Sequence, residues 1–172
     1  WDQLSTDEST LAVGADYVGQ EALLAYRHSR DGNDQTHGTH TTGIAAGSGY
    51  NSPYRGMAYE SDICLVANAT SNNAELIDEA DRYKYTSATD ALGFKYIFDY
   101  AQAHNMPCVA SFSEGSHQDF YGDDILYYEV LQSLVGAGRI LVASAGNESL
   151  SKSFFRKPKD VESDGTFVPP SG

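Results

Sequence analysis

Three short apolar runs set the strongest limit on how this chain folds: Asp62 to Asn68, Pro107 to Ser113 and Arg139 to Ser144. Each is nearly continuous rather than alternating, the pattern of a strand covered on both faces. Between the first two, Thr86 to Asn105 repeats Ala91, Phe94, Ile97, Phe98 and Ala101 at helical spacing, with Thr86 or Ser87 placed to cap it. Between the second and third, Asp123 to Ala137 does the same with Ile125, Tyr128, Leu131, Leu134 and Val135, and Gly136 and Gly138 end it. Strands alternating with helices predict an α/β fold built on a right-handed parallel sheet.

The remaining segments are read around that frame. Gly14 to Arg30 is a turn followed by a helix from about Gln20 to His28, which runs out into the polar loop Ser29 to Asp34. His37 to Gly47 is rich in small residues, which predicts a helix buried tightly against its neighbours with Gly47 at its C-terminus. Asn72 to Lys84 is a polar, acidic connection, and everything from Ser149 onward reads as loop or exposed end. There is no internal repeat.

Composition removes several classes of partner. Twenty-four acidic residues against eleven basic ones give a net charge of -13, which repels nucleic acid and anionic membrane surfaces. No apolar run approaches the roughly eighteen residues of a membrane span, and Trp1-Asp2-Gln3 does not open a targeting pattern. Cys64 and Cys108 both lie in apolar runs and offer neither a disulfide framework nor paired zinc-ligand spacing, so two buried free thiols are expected.

His37-Gly38-Thr39-His40, followed by small residues and Gly43-Ile44-Ala45-Ala46-Gly47, resembles the histidine motif of the subtilase family. Two further stretches resemble that family in the same order. Ser111-Phe112-Ser113-Glu114-Gly115 is similar to the strand that flanks bound substrate, and Ser144-Ala145-Gly146-Asn147 is similar to the oxyanion-hole motif. Gly56-Met57-Ala58-Tyr59 resembles the family's Gly-Val-Ala-Pro turn, with Tyr59 in place of the usual proline. The resemblance spans roughly Gly14 to Ser149. It implies a three-layer subtilisin-like sheet with flanking helices, and a serine endopeptidase that cleaves peptide or protein substrates through an acyl-enzyme.

The chemistry explains why these residue types occur together. A serine hydroxyl is a poor nucleophile until an imidazole takes its proton, and a carboxylate fixes that imidazole's tautomer. The resemblance gives His37 the role of that base. The tetrahedral intermediate develops a negative oxygen, which a rigidly held side-chain amide stabilises. Asn147 takes that role, with Ala145, Gly146, Ser113, Glu114 and Gly115 expected to line the substrate. No cofactor is implied; calcium is common among subtilases, but no loop here has defensible ligand spacing.

Each residue also has a plainer reading. His37 alone reads as an ordinary core or surface histidine, and only its flanking motif favours catalysis. His40, one helical turn on, has the spacing of a metal pair but no third ligand, and the resemblance makes it structural. His28 and His104 read as helix-surface residues, and His117 is left open. Asn147 also suits a turn, since Gly-Asn is a common turn pair. Asn147-Glu148-Ser149 and Asn68-Ala69-Thr70 match the glycosylation pattern, but a glycan on Asn147 would block the site.

Two parts of the family's triad have no counterpart in residues 1–172. None of Asp2, Asp7, Asp16, Asp31 and Asp34 follows an apolar strand, and Gly165-Thr166 is followed by Phe167 rather than serine. The expectation is a central fragment of a catalytic domain, inactive alone, with its aspartate upstream and serine downstream. Apolar surface left bare by the missing flanks is expected to favour self-association. The other functional class is a pseudoprotease or peptide-binding module that keeps the fold. A secreted or cell-envelope location is implied by the family alone.

Overall fold

The computed structural model describes residues 14–26, 36–67, 79–80, 87–114, 124–144 and 146–147. Its helices are α1 (Gln20–Tyr26), α2 (His37–Ala46), α3 (Ser87–Ala103) and α4 (Ile125–Leu134), and its strands are β1 (Cys108–Phe112) and β2 (Arg139–Ala143). The order β1-α4-β2 follows from the two apolar runs and the helical period between them.

The core forms where α3 meets β1. Ala91, Phe94, Phe98 and Ala101 recur every three or four residues, so one stripe of α3 is apolar, and all four are buried. Phe98 is only 2% exposed and clusters with Phe94 and Ala110, while Cys108, Phe112, Leu131, Leu134 and Leu141 pack around them. Phe94 meets Phe112 edge to face, with ring centroids 5.1 Å apart and planes at 89°, an arrangement that adds about 0.5–1.5 kcal/mol beyond area burial. On α4, Tyr127 is the buried residue and Ile125 is exposed. The expected stripe through Ile125, Tyr128, Leu131 and Leu134 is therefore right at its C-terminal half and rotated at its start.

The two strands pair in parallel, with Cys108 opposite Arg139 and Phe112 opposite Ala143. Among the described residues, only one face of this pair is covered. Ala110 points into the core, whereas Val109, Ile140 and Val142 on the other face are 63%, 53% and 52% exposed. Of the two covered faces expected, the described residues supply one: α3 packs on β1 and α4 packs beside α3.

The run beginning at Asp62 is also corrected. Residues 62–67 form no strand, and β1 and β2 make up a two-stranded sheet; Asn68 lies outside the described residues. An apolar run becomes a strand only when its backbone finds a ladder partner, and this one packs through side chains instead. A methyl group at Gly93 on α3 would come within 3.0 Å of Val66 Cγ1. Cys64 lies close enough for the Cys108 thiolate to oppose its ionisation, although burial raises its pKa more. Burial likewise raises Cys108. Both thiols are free and half-buried rather than fully buried as expected.

Helix α2 spans the predicted residues and stops at Gly47, whose backbone N–H donates to Gly43 O at 3.0 Å. None of its residues is buried, which overturns the expectation of tight burial on its flanks. Its closest neighbours are backbone. Gly56 N donates to Gly47 O at 2.8 Å, Met57 N to Ile44 O at 3.1 Å and Ala58 N to Ala45 O at 2.8 Å. These satisfy carbonyls that a helix end leaves without intrahelical partners. Among the described residues, no helix is long and apolar enough to cross a membrane.

Candidate active site

In parallel α/β sheets, functional groups gather beyond the carboxyl ends of the strands. Here that end is formed by Ser113 and Glu114 after β1 and by Ser144, Gly146 and Asn147 after β2. Two hydrogen bonds hold these strand exits side by side. Ser144 N donates to Phe112 O at 2.9 Å, which extends the parallel ladder past β2. The Ser144 hydroxyl donates to Glu114 O at 3.2 Å. Two of the segments singled out from sequence are thereby brought together. Gly115 and Ala145, the other residues expected here, lie outside the described residues.

The turn after β2 depends on Gly146, whose φ of 79° lies in the left-handed region. A residue with a Cβ pays roughly 1–2 kcal/mol there, so backbone geometry favours glycine. Asn147 follows it and is exposed, as are Ser113 and Glu114. An amide held at this position is free to donate to an oxygen outside the protein.

His37 is the first residue of α2 and is exposed, as is His40 one turn on. No hydrogen bond, ion pair or ring contact among the described residues links His37 to Ser144, Gly146 or Asn147. Its helix is instead positioned from its far end, by the amides of Gly56, Met57 and Ala58. The approach there is close. A methyl group on Gly56 would lie 2.4 Å from Gly47 N and 2.6 Å from Ala46 N.

Asp16, among the described residues, is engaged by Tyr96. It accepts a hydrogen bond from the Tyr96 hydroxyl on α3, and burial followed by the Asp16 charge holds that phenol above its usual range. The contact joins segments eighty residues apart, so no local sequence pattern announces it. His104 packs on α3, its ring stacked on Tyr100 at 4.1 Å with Nδ1 2.8 Å from Tyr100 O. This suits its expected place on the helix surface. His28 and His117 lie outside the described residues, as do Asp2, Asp7, Asp31, Asp34, Asn68 and residues 148–172.

Sequence reasoning places Ser144 at a strand end and in the oxyanion-like motif but misses its hydroxyl's bond to Glu114. Its signal was available: a hydroxyl at the last position of an apolar strand has backbone carbonyls as its nearest partners.

Comparison with known proteins identifies a family. The family model described as Subtilase family matches residues 9–167. Searches of curated proteins and of solved structures gave no significant match.

Proposed function

The chain belongs to the subtilase family, and from that premise we propose that it forms the part of a serine endopeptidase domain carrying the general base, His37, and the oxyanion donor, Asn147. The family supports a serine peptidase in general terms. The observation that carries the finer reading is the strand-end turn: Asn147 is exposed directly after left-handed Gly146, beside a Glu114 segment fixed by Ser144.

In this reading peptide backbone lies along Ser113 and Glu114, with its scissile carbonyl oxygen toward Asn147. His37 accepts the proton of a serine hydroxyl as that oxygen attacks the carbonyl carbon. The amide of Asn147 donates to the oxygen that becomes negative, and His37 then returns the proton to the leaving amine. Water repeats the cycle on the acyl-enzyme. The nucleophile and the orienting carboxylate come from outside residues 1–172, because neither occurs in these residues in the family's sequence context. Export from the cytoplasm is proposed on the family's habit alone.

The test compares residues 1–172 with the domain extended through both flanks, using a fluorogenic peptide and a serine-directed fluorophosphonate probe. The extended domain is expected to be labelled and to turn over substrate, and residues 1–172 to do neither. In the extended domain, His37→Ala should cost about 10⁶-fold in kcat, a scale taken from subtilisin itself. Asn147→Ala should cost about 10²–10³-fold, also subtilisin's own figure. An extended domain that binds peptide without labelling would favour a binding module. A serine labelled within residues 1–172, and lost in His37→Ala, would mean that the nucleophile lies inside this segment.

A further inference from the structure

The described part of the molecule holds three cationic side chains, and each is engaged. Arg55 lies over the Tyr59 ring at 4.8 Å, Lys95 pairs with Asp99 one helical turn away, and Arg139 donates through Nε to Leu134 O at 2.8 Å. Arg139 also begins β2, at the end of the sheet opposite Asn147. Among the described residues, Glu114 has no such partner. Its backbone carbonyl is taken by the Ser144 hydroxyl, its side chain is exposed, and the described residues at this strand end, its chain neighbour Ser113 with Ser144, Gly146 and Asn147 after β2, carry no other charge. With a net charge of -13 on the whole chain, the long-range field at this strand end also favours cations.

We propose that Glu114 is a specificity-determining carboxylate that selects peptides carrying a lysine or arginine side chain beside the bond held at Asn147. This rests on the reading of the strand end as a peptide-binding cleft. The physical ground is desolvation. A peptide laid across this end removes water from the carboxylate, and an apolar side chain gives nothing in return. A cationic side chain replaces the lost water with an ion pair, so discrimination comes from a penalty on the wrong peptide as much as from attraction to the right one.

The test uses the full chain and two blocked, fluorescently labelled peptides identical except for lysine or norleucine at one position. Binding is followed by anisotropy. The lysine peptide is expected to bind about two- to fivefold more tightly, the scale of a solvent-accessible ion pair. The preference should shrink as salt rises from about 0.05 M to 0.5 M. In Glu114→Gln the two peptides should bind equally, the lysine peptide more weakly and the norleucine peptide more tightly than to the unmodified chain because the carboxylate's desolvation penalty is gone, and Glu114→Asp should restore part of the preference. Equal binding by the unmodified chain, or a lysine preference that survives in Glu114→Gln, overturns the assignment while leaving the cleft intact. Failure of both peptides to bind overturns the cleft itself and this inference with it.

Discussion

The Ser144 hydroxyl donates to the backbone carbonyl of Glu114 across 3.2 Å, so the exits of two parallel strands are fastened thirty residues apart in sequence. The bond is exposed, which limits its worth to stability to about 0.5–1.5 kcal/mol at most. Ser144→Ala should therefore lower the denaturation midpoint only slightly. Its larger effect is expected on recognition: KM in the extended domain should rise while kcat changes less, because the Glu114 segment loses its tether. A fall in kcat with constant KM would place Ser144 elsewhere in the mechanism.

Gly56→Ala should be far more damaging. Its new methyl would sit 2.4 Å from Gly47 N, among backbone atoms that cannot swing aside. Overpacking of this kind costs typically about 1–3 kcal/mol. Hydrogen exchange should locate the damage, with protection lost at the amides of Gly56, Met57 and Ala58. Unchanged protection there would show that the turn relaxes without releasing α2.

The two thiols make stability fall at alkaline pH. Burial raises both Cys64 and Cys108 above the ordinary thiol value of 9.0, so the folded state holds its thiol protons where the unfolded chain releases them. Stability from this source is full below the unfolded pKa and is lost as pH rises through the folded values. Denaturant midpoints measured from neutral to alkaline pH should decline, and less steeply in a Cys64→Ala, Cys108→Ala variant. Identical slopes would count against the assignment.

The sheet face that none of the described residues covers should make residues 1–172 associate. Val109, Ile140 and Val142 present apolar side chains to water on one side of the sheet, and such patches are commonly buried against another surface. Sedimentation should show concentration-dependent oligomers, and Val142→Lys should shift the distribution toward monomer. An unmodified chain that stays monomeric at high concentration would contradict this.

Sequence reading succeeded where a single period decides the structure. The α3 stripe was legible because burial against one neighbour requires an apolar residue every three or four positions, and Ala91, Phe94, Phe98 and Ala101 supply it. Cys108 to Phe112 and Arg139 to Ala143 were legible as strands for a related reason: each is a short apolar run, and each finds the other as ladder partner. The run at 62–67 has the same composition without the ladder, and composition does not reveal who pairs with whom. For α2, small residues suggested close packing, yet the close approach is of backbone to backbone at its carboxyl end. At the candidate site, Gly146 and Asn147 were visible as a motif, whereas the Ser144 to Glu114 bond depends on register between distant strands.

The fastening of α2 by the amides of Gly56, Met57 and Ala58 has a consequence for how this region tolerates evolutionary drift. A peptide N–H is common to every residue but proline, so Met57, exposed to water, is free to vary without moving the helix that bears His37. Proline at 57 or 58 would delete a donor and is barred. Tyr59 contributes no bond to α2 through its amide, and position 59 is where the family usually places proline. The departure at Tyr59 is therefore neutral for the helix, since among the described residues no bond to α2 uses the N–H that proline would remove.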